Sequence, residues 1–423
     1  MTIKIKGNIS DFTIIDLFWR FLYLLPAADA INGILVRQQS TRGVGTIFHA
    51  IITVLAICII IIENIRYNTI SKMFIVCVFS IIVSALFTIF FGNNISTISF
   101  ERIVKFLVTI FLLYTFDFLF KNNRISKDQA VNMMDFQFRS VILITFFADL
   151  AGISNHTYTN MGNIGLFAGS NEPNIIFMIA ITYFTWKLKN RNSFTEVIFY
   201  VLGILCMIMT ESKSGVVIAA IYALILFLII LNKIFNIKNR FRNLMLALVT
   251  VIGASGVMLR YYKKISSTFL ARQTYLQQNL GDVNSASYLS SGRISRINSL
   301  IVQPLEQDFS GGFFGILKGL QRLIVGSGIS NQYSETMEMD YFDVYLYGGL
   351  VWLFAFVALS VYIFKKVIKI QTSKSVIFGL FIVFIASFFV GHAWNGGYSG
   401  LYFAMICAFL MNYDSKNRRN ENE

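Results

Sequence analysis

"SETMEMDYFDVYLYGGL", Ser334–Leu350, sets four acids, Glu335, Glu338, Asp340 and Asp343, ahead of a segment that turns apolar through Val351, Trp352, Leu353 and Phe354. A carboxylate costs several kcal/mol at the middle of a bilayer and much less at its edge. The stretch therefore reads as the mouth of a membrane helix. The rest of the chain agrees. Its 423 residues are 56% hydrophobic and only 14% charged, with a mean hydropathy of +0.64, whereas a soluble domain carries roughly 25% charged residues. Apolar runs of roughly twenty residues recur, long enough to cross about 30 Å of hydrocarbon as helices. The alternating segments of about ten residues that mark a membrane barrel are absent.

About twelve spans are expected, at 12–34, 46–65, 72–92, 99–120, 138–153, 169–187, 194–210, 214–232, 242–259, 341–364, 374–391 and 397–413. Lysine and arginine cluster in alternate connections: Lys121, Arg124 and Lys127; Lys187, Lys189 and Arg191; Lys233, Lys238, Arg240 and Arg242; Lys365, Lys366, Lys369 and Lys374; Lys416, Arg418 and Arg419. Basic connections stay inside, so both termini are expected in the cytoplasm. Arg37 and Arg42 then fall outside, against the trend. The expected organisation is spans one to nine in 1–259, a large extracytoplasmic loop at 260–340, spans ten to twelve in 341–413 and a cytoplasmic tail at 414–423. Within that loop Ile294, Ile297, Leu300 and Ile301 recur at helical spacing up to Pro304, and Ile316, Leu317, Leu320 and Leu323 repeat the pattern before "GSG" at 326–328. Two amphipathic helices lying on the membrane surface are the result. The class is an all-α polytopic membrane protein with one helical outer loop.

The net charge of +14 invites a nucleic-acid reading, but charges confined to short clusters between apolar runs fit positive-inside loops instead. Cys58, Cys77, Cys206 and Cys407 all sit within apolar runs and lack metal-ligand spacing. "AADA" at 27–30 resembles a leader-peptidase site, yet Asp16 and Arg20 interrupt the apolar region before it. An uncleaved first helix is expected, with those two residues four apart on one face. His49, His156 and His392 have no partners at zinc spacing, and no nucleotide-type glycine loop occurs. No metal, cofactor or nucleotide is therefore expected.

Cations on the outer side need a reason. "TESKSG" at 210–215 carries Lys213, "SSGRISR" at 290–296 puts Arg293 and Arg296 three apart on one helical face, and Arg322 closes the second loop helix. Basic side chains near helix ends snorkel to headgroups, and that accounts well for Arg102 and Lys105. A bound phosphate is the other use, since guanidinium groups take its oxygens through paired hydrogen bonds. "GSNEPN" at 169–174 opens the sixth span, with Asn171 and Asn174 as helix caps or as amides hydrogen-bonding a sugar. Acids in the first turn of a helix favour its positive end by about 0.3–1 kcal/mol. That covers Asp340 and Asp343 better than Glu335 and Glu338, which precede the helix and face the cation-bearing loop. A carboxylate there can take a proton from an attacking hydroxyl while cations hold a leaving group.

"GLFAGSNEPN", "MTESKSGVVIAA", "SGRISRINSLI", "RLIVGSGIS" and "EMDYFDVYLYGGL", in that order over roughly residues 160 to 355, together resemble the bacterial O-antigen polymerase and O-antigen ligase superfamily. The resemblance implies a glycosyltransferase of the bacterial inner membrane, important for lipopolysaccharide or capsular polysaccharide. Its substrate would be an oligosaccharide on polyprenyl pyrophosphate, already flipped to the outer face, and a chain-length regulator protein would be a further partner. Lys213 would stand for the basic residue of the family's Ser-Arg turn, and Arg293 for the loop arginine facing pyrophosphate. Arg296 and Arg322 would assist, and Glu338 would position or deprotonate the acceptor. Asn171, Asn174 and Asp340 would contact substrate. Family ligases carry a His-Asn pair where this chain has Glu338-Met339, which favours a polymerase over a ligase. A flippase or other transporter is the reading from a different class. Transporters, however, show related halves and midplane helix breaks, whereas the polar groups here gather at one face.

Overall fold

A computed structural model describes residues 13–37, 43–63, 68–90, 96–158, 161–169, 171–190, 193–234, 293–328 and 338–413. Eight helices come first: α1 Ile14–Arg37, α2 Val44–Ile62, α3 Thr69–Phe90, α4 Thr97–Lys121, α5 Lys127–Leu150, α6 Glu172–Asn190, α7 Phe194–Met209 and α8 Lys213–Ile234. A hairpin of β1 His156–Tyr158 and β2 Met161–Asn163 interrupts them, antiparallel with His156 opposite Asn163. Then follow α9 Arg293–Ile297, a π-helical turn Asn298–Val302, α10 Gln303–Ser310, α11 Gly312–Val325, α12 Asp340–Ile370, α13 Lys374–Val390 and α14 Ser399–Asn412. The described residues are all-α apart from that hairpin. Among the described residues α2, α3, α4, α8 and α12 are long and apolar enough to cross a membrane, and α7, α13 and α14 are apolar but shorter. The expected ninth span, 242–259, and the tyrosines and basic residues around it lie outside the described residues.

Contacts between helix termini gather at two ends of the bundle. At one end Arg124 meets Glu63 at 2.6 Å, Lys366 and Asn412 meet Asp117 at 2.7 and 2.8 Å, and the Tyr413 hydroxyl donates to the Ile125 carbonyl at 2.7 Å. At the other end Arg37 donates to the Ile153 carbonyl at 2.7 Å, which gives this off-trend cation a structural use. Helices α9 to α11 sit at this second end, called here the loop end. The centre of the bundle is α14, whose residues Ser399 to Met411 are all buried, together with α6, buried from Asn174 to Leu188. Helices α2 and α3 instead point Val54, Ile61, Phe79, Leu86 and Phe90 outward. An apolar exterior around a close-packed interior is what a lipid environment demands.

Local chemistry sets the helix limits. Thr13 and Asp16 cap α1 reciprocally: Asp16 accepts from the Thr13 amide at 2.9 Å, and Thr13 Oγ1 accepts from the Asp16 amide at 3.2 Å. Pro26 lies inside α1 and has no N–H for the Leu22 carbonyl. Gln137 of α5 supplies the missing donor at 2.9 Å. Helix α5 begins at Lys127, well before the expected 138, because Ser126 and Gln129 form a capping box there. Its first turns carry charges that an apolar window skips. Pro304 does not end the first loop helix; the π turn before it absorbs the missing hydrogen bond and the helix continues to Ser310.

Candidate functional site

The acids that precede α12 are divided by the fold. Glu338 has φ of +57°, a left-handed conformation that costs a non-glycine residue about 1–2 kcal/mol. Its backbone is pressed by Gly391, where a Cβ would come within 2.6 Å of the Glu338 carbonyl oxygen. The side chain reaches both arginines of α9: Oε2 lies 3.4 Å from Arg293 Nη2 and Oε1 lies 3.8 Å from Arg296 Nη1. Arg293, Glu338 and Arg296 are 17%, 36% and 37% exposed, so the triplet is open to water. Ion pairs this loose and exposed are worth about 0–1 kcal/mol. A carboxylate bridging two guanidinium groups at these distances is held more loosely than the short, paired hydrogen bonds arginine makes with an oxyanion.

Asp340 behaves differently. It is buried, and Oδ2 accepts from Ser387 Oγ at 2.7 Å and from the Ala393 and Trp394 amides at 2.8 and 2.9 Å, while Oδ1 accepts from the His392 amide at 2.8 Å. Those four donors make it the anchor of the α13–α14 loop, residues 391–398. The other end of that loop is held by Glu172 of α6, whose Oε2 accepts from the Tyr398 and Ser399 amides at 2.7 and 3.4 Å. His392, with φ of +70°, is thereby fixed beside Asp340 and next to the Glu338 backbone.

The α7–α8 turn forms a second polar group at the same end of the bundle. Asn174 donates to Ser212 Oγ at 2.8 Å and accepts from Thr210 Oγ1 at 2.9 Å. Ser212 Oγ also accepts from the Gly215 amide at 2.9 Å, and Gly215 has no room for a Cβ against it. Glu211, at φ +51°, reaches across to accept from the Gly162 amide of the hairpin at 3.2 Å. Lys213 is the first residue of α8 on this locked turn. Asn171 is buried, and its carbonyl receives the Ile175 amide at 3.5 Å as α6 begins. Arg322 of α11 pairs with Asp308 of α10 at 2.8 Å, with Lys318 on the same carboxylate at 3.5 Å.

Of the residues expected from sequence, the structure joins Glu338, Arg293 and Arg296 directly and sets Asp340 beneath them as the loop's anchor. Lys213, Asn171 and Asn174 gather around the α7–α8 turn and the start of α6, and Arg322 belongs to the α10–α11 hairpin. Glu335 and Tyr261, Tyr262, Tyr275 and Tyr288 lie outside the described residues. Sequence reasoning passed over Glu172, although "GSNEPN" was singled out for its amides, and it treated His392 as a lone histidine. The glycine-rich break "GHAWNGGYSG" at 391–400 was the available signal for both. No group of three or more metal-ligating side chains occurs among the described residues. No protein-family model and no curated protein matches the chain.

Proposed function

We propose that the protein is a polysaccharide repeat-unit polymerase of the bacterial inner membrane. It transfers a glycan from polyprenyl pyrophosphate to a hydroxyl of a newly flipped, lipid-linked repeat. Twelve spans, both termini in the cytoplasm and the loop end facing outward belong to this reading. The observation that carries it is the Arg293–Glu338–Arg296 triplet at the mouth of α12. The ordered set of sequence fragments from "GLFAGSNEPN" to "EMDYFDVYLYGGL" supports it independently.

In this reading the donor's pyrophosphate displaces the Glu338 carboxylate from the two guanidinium groups, because its greater charge draws stronger hydrogen bonds. The displaced carboxylate then sits beside the phosphate, free to accept the proton of the attacking acceptor hydroxyl. The sugar–phosphate bond breaks as the new glycosidic bond forms, and the arginines stabilise the departing pyrophosphate. Lys213 adds a point charge. Energy comes from the donor bond, so the outer face needs no nucleotide. Asn174 and Asp340 hold the frame.

Deleting the gene in its own host and resolving the surface polysaccharide on a gel tests this. The expected phenotype is loss of the ladder with a single repeat unit still attached to its anchor. Arg293→Ala at normal membrane levels leaves the ladder missing; full restoration would end the pyrophosphate assignment. If even the single repeat vanishes, a flippase or a ligase accounts for the protein better.

A further inference from the structure

We infer that Asp29 of α1 and His49 of α2 form a proton-binding site inside the bundle, linked through Asn32 and Tyr398 to the α13–α14 loop. The inference does not depend on the polymerase reading. Asp29 is 1% exposed, and its Oδ1 lies 2.9 Å from His49 Nε2. Its other oxygen, Oδ2, is buried and meets no hydrogen-bond partner among the described residues. The Tyr402 hydroxyl of α14, fully buried and within electrostatic range of Asp29, also meets none. Buried polar atoms are nearly always satisfied, so two orphans close enough to interact electrostatically call for a cause.

The surroundings separate this pair from the other intramembrane charges. Asp135 and Glu196 are matched by Lys187 at 2.6 and 2.7 Å and by Arg139, and Asp117 is matched by Lys366. Asp29 is faced by His49 from α2, by a second acid, Glu172, from α6, and by Tyr402 from α14. From α5, below this level, α1 meets the neutral Gln137. Of the two cations of α4 on this side, Arg102 donates to the Tyr347 hydroxyl at 3.4 Å, and Lys105 runs beside Gly397 and is paired with Glu101 at 2.8 Å. Asp29 thus has one imidazole in contact and a second acid within electrostatic range, with no lysine or arginine paired to it among the described residues. Intramembrane acids that face the bundle interior mark proton sites and relays.

Burial also selects the ligand. Asp29 Oδ2 has no surface open to solvent, whereas His49 is 17% exposed and gives the niche a rim. The proton enters on the side of the His49 ring and is held by the Asp29 carboxyl, whose Oδ1 faces Nε2 and whose buried Oδ2 is otherwise unpartnered among the described residues. Contacts at Tyr398 connect this level of the bundle to the loop. The His49 ring stands edge-on to Tyr398 at 5.6 Å, Asn32 donates to the Tyr398 hydroxyl and accepts from the Gly45 amide at 3.1 Å, and the Tyr398 amide donates to Glu172 at 2.7 Å.

Infrared difference spectra of the full-length protein in nanodiscs, taken as the pH is lowered from alkaline to mildly acid, test the site. The expected result is a carboxylic-acid carbonyl band that grows in the wild type, is absent in Asp29→Asn and persists in Glu172→Gln. Tyr402→Phe shifts its frequency by removing a hydroxyl within electrostatic range of Asp29. Identical spectra for wild type and Asp29→Asn across the range overturn the proposal. Should Asp29→Asn fail to fold, His49→Gln decides: a midpoint displaced by about one pH unit or more supports the site, and an unmoved midpoint sinks it.

Discussion

Among single residues, the contrast between Glu338 and Asp340 says most about function. They stand two apart, yet one is strained, half-exposed and loosely paired, and the other is buried with four donors. Glu338→Asn keeps a residue that tolerates left-handed backbone and loses only an exposed ion pair. Its thermal unfolding in detergent is expected to stay within about 1 kcal/mol of wild type, while complementation of the polysaccharide ladder fails. A large loss of stability would instead make Glu338 a structural residue. Asp340→Asn turns an amide N–H toward donors that need an acceptor, and is expected to cost about 2–4 kcal/mol. The sequence made both acids visible at a helix mouth but could not tell them apart. The partners of Asp340 lie 47 to 54 residues downstream, and helix-end electrostatics treats neighbouring acids alike. Glu172 was illegible for the same reason, its loop partners lying 226 and 227 residues away.

Whole elements carry two further tests. Helix α12 breaks at Gly349, which has φ of +60° and ψ of −155°. There its backbone meets Gly326, and Gly348 lies against the buried Trp352 ring, leaving no space for a Cβ at any of the three glycines. Gly349→Ala combines positive-φ strain with overlap and is expected to destabilise by about 3 kcal/mol or more, read as a lowered unfolding temperature. In α1, Gln137→Ala strands the Leu22 carbonyl that Pro26 leaves open, at about 2 kcal/mol. In a Pro26→Ala background that cost is expected to shrink by about 1 kcal/mol, because the alanine amide takes over the carbonyl. Equal costs in both backgrounds would mean that Gln137 acts by packing alone. Helix extents read from apolar windows were close wherever capping and hydropathy coincide. They missed the start of α5, where a capping box opens the helix ahead of its apolar part, and the continuation past Pro304, which a π turn permits.

For the molecule as a whole, orientation is the next quantity to measure. With the loop end outward, Lys318→Cys on α11 is expected to react with an impermeant maleimide in intact cells, and Asn122→Cys at the α4–α5 turn only after permeabilisation. The reverse pattern would turn the protein over and remove the outer-face reading of the arginines. The class was legible from composition alone, because lipid-facing helices need apolar residues on the outside as well as within. The order of packing was not, since α14 has the same apolar character as its neighbours. That helix is fourteen residues long, roughly 21 Å, and sits against α4, α6 and α12 with its aromatic side chains Tyr402, Phe403 and Phe409 enclosed. Among the described helices it is also the last to leave the ribosome. The helices that surround it are therefore made before the segment that their packing encloses. A chain stopped before Ser399 lacks the centre of this packing, and is expected to meet quality control in the membrane.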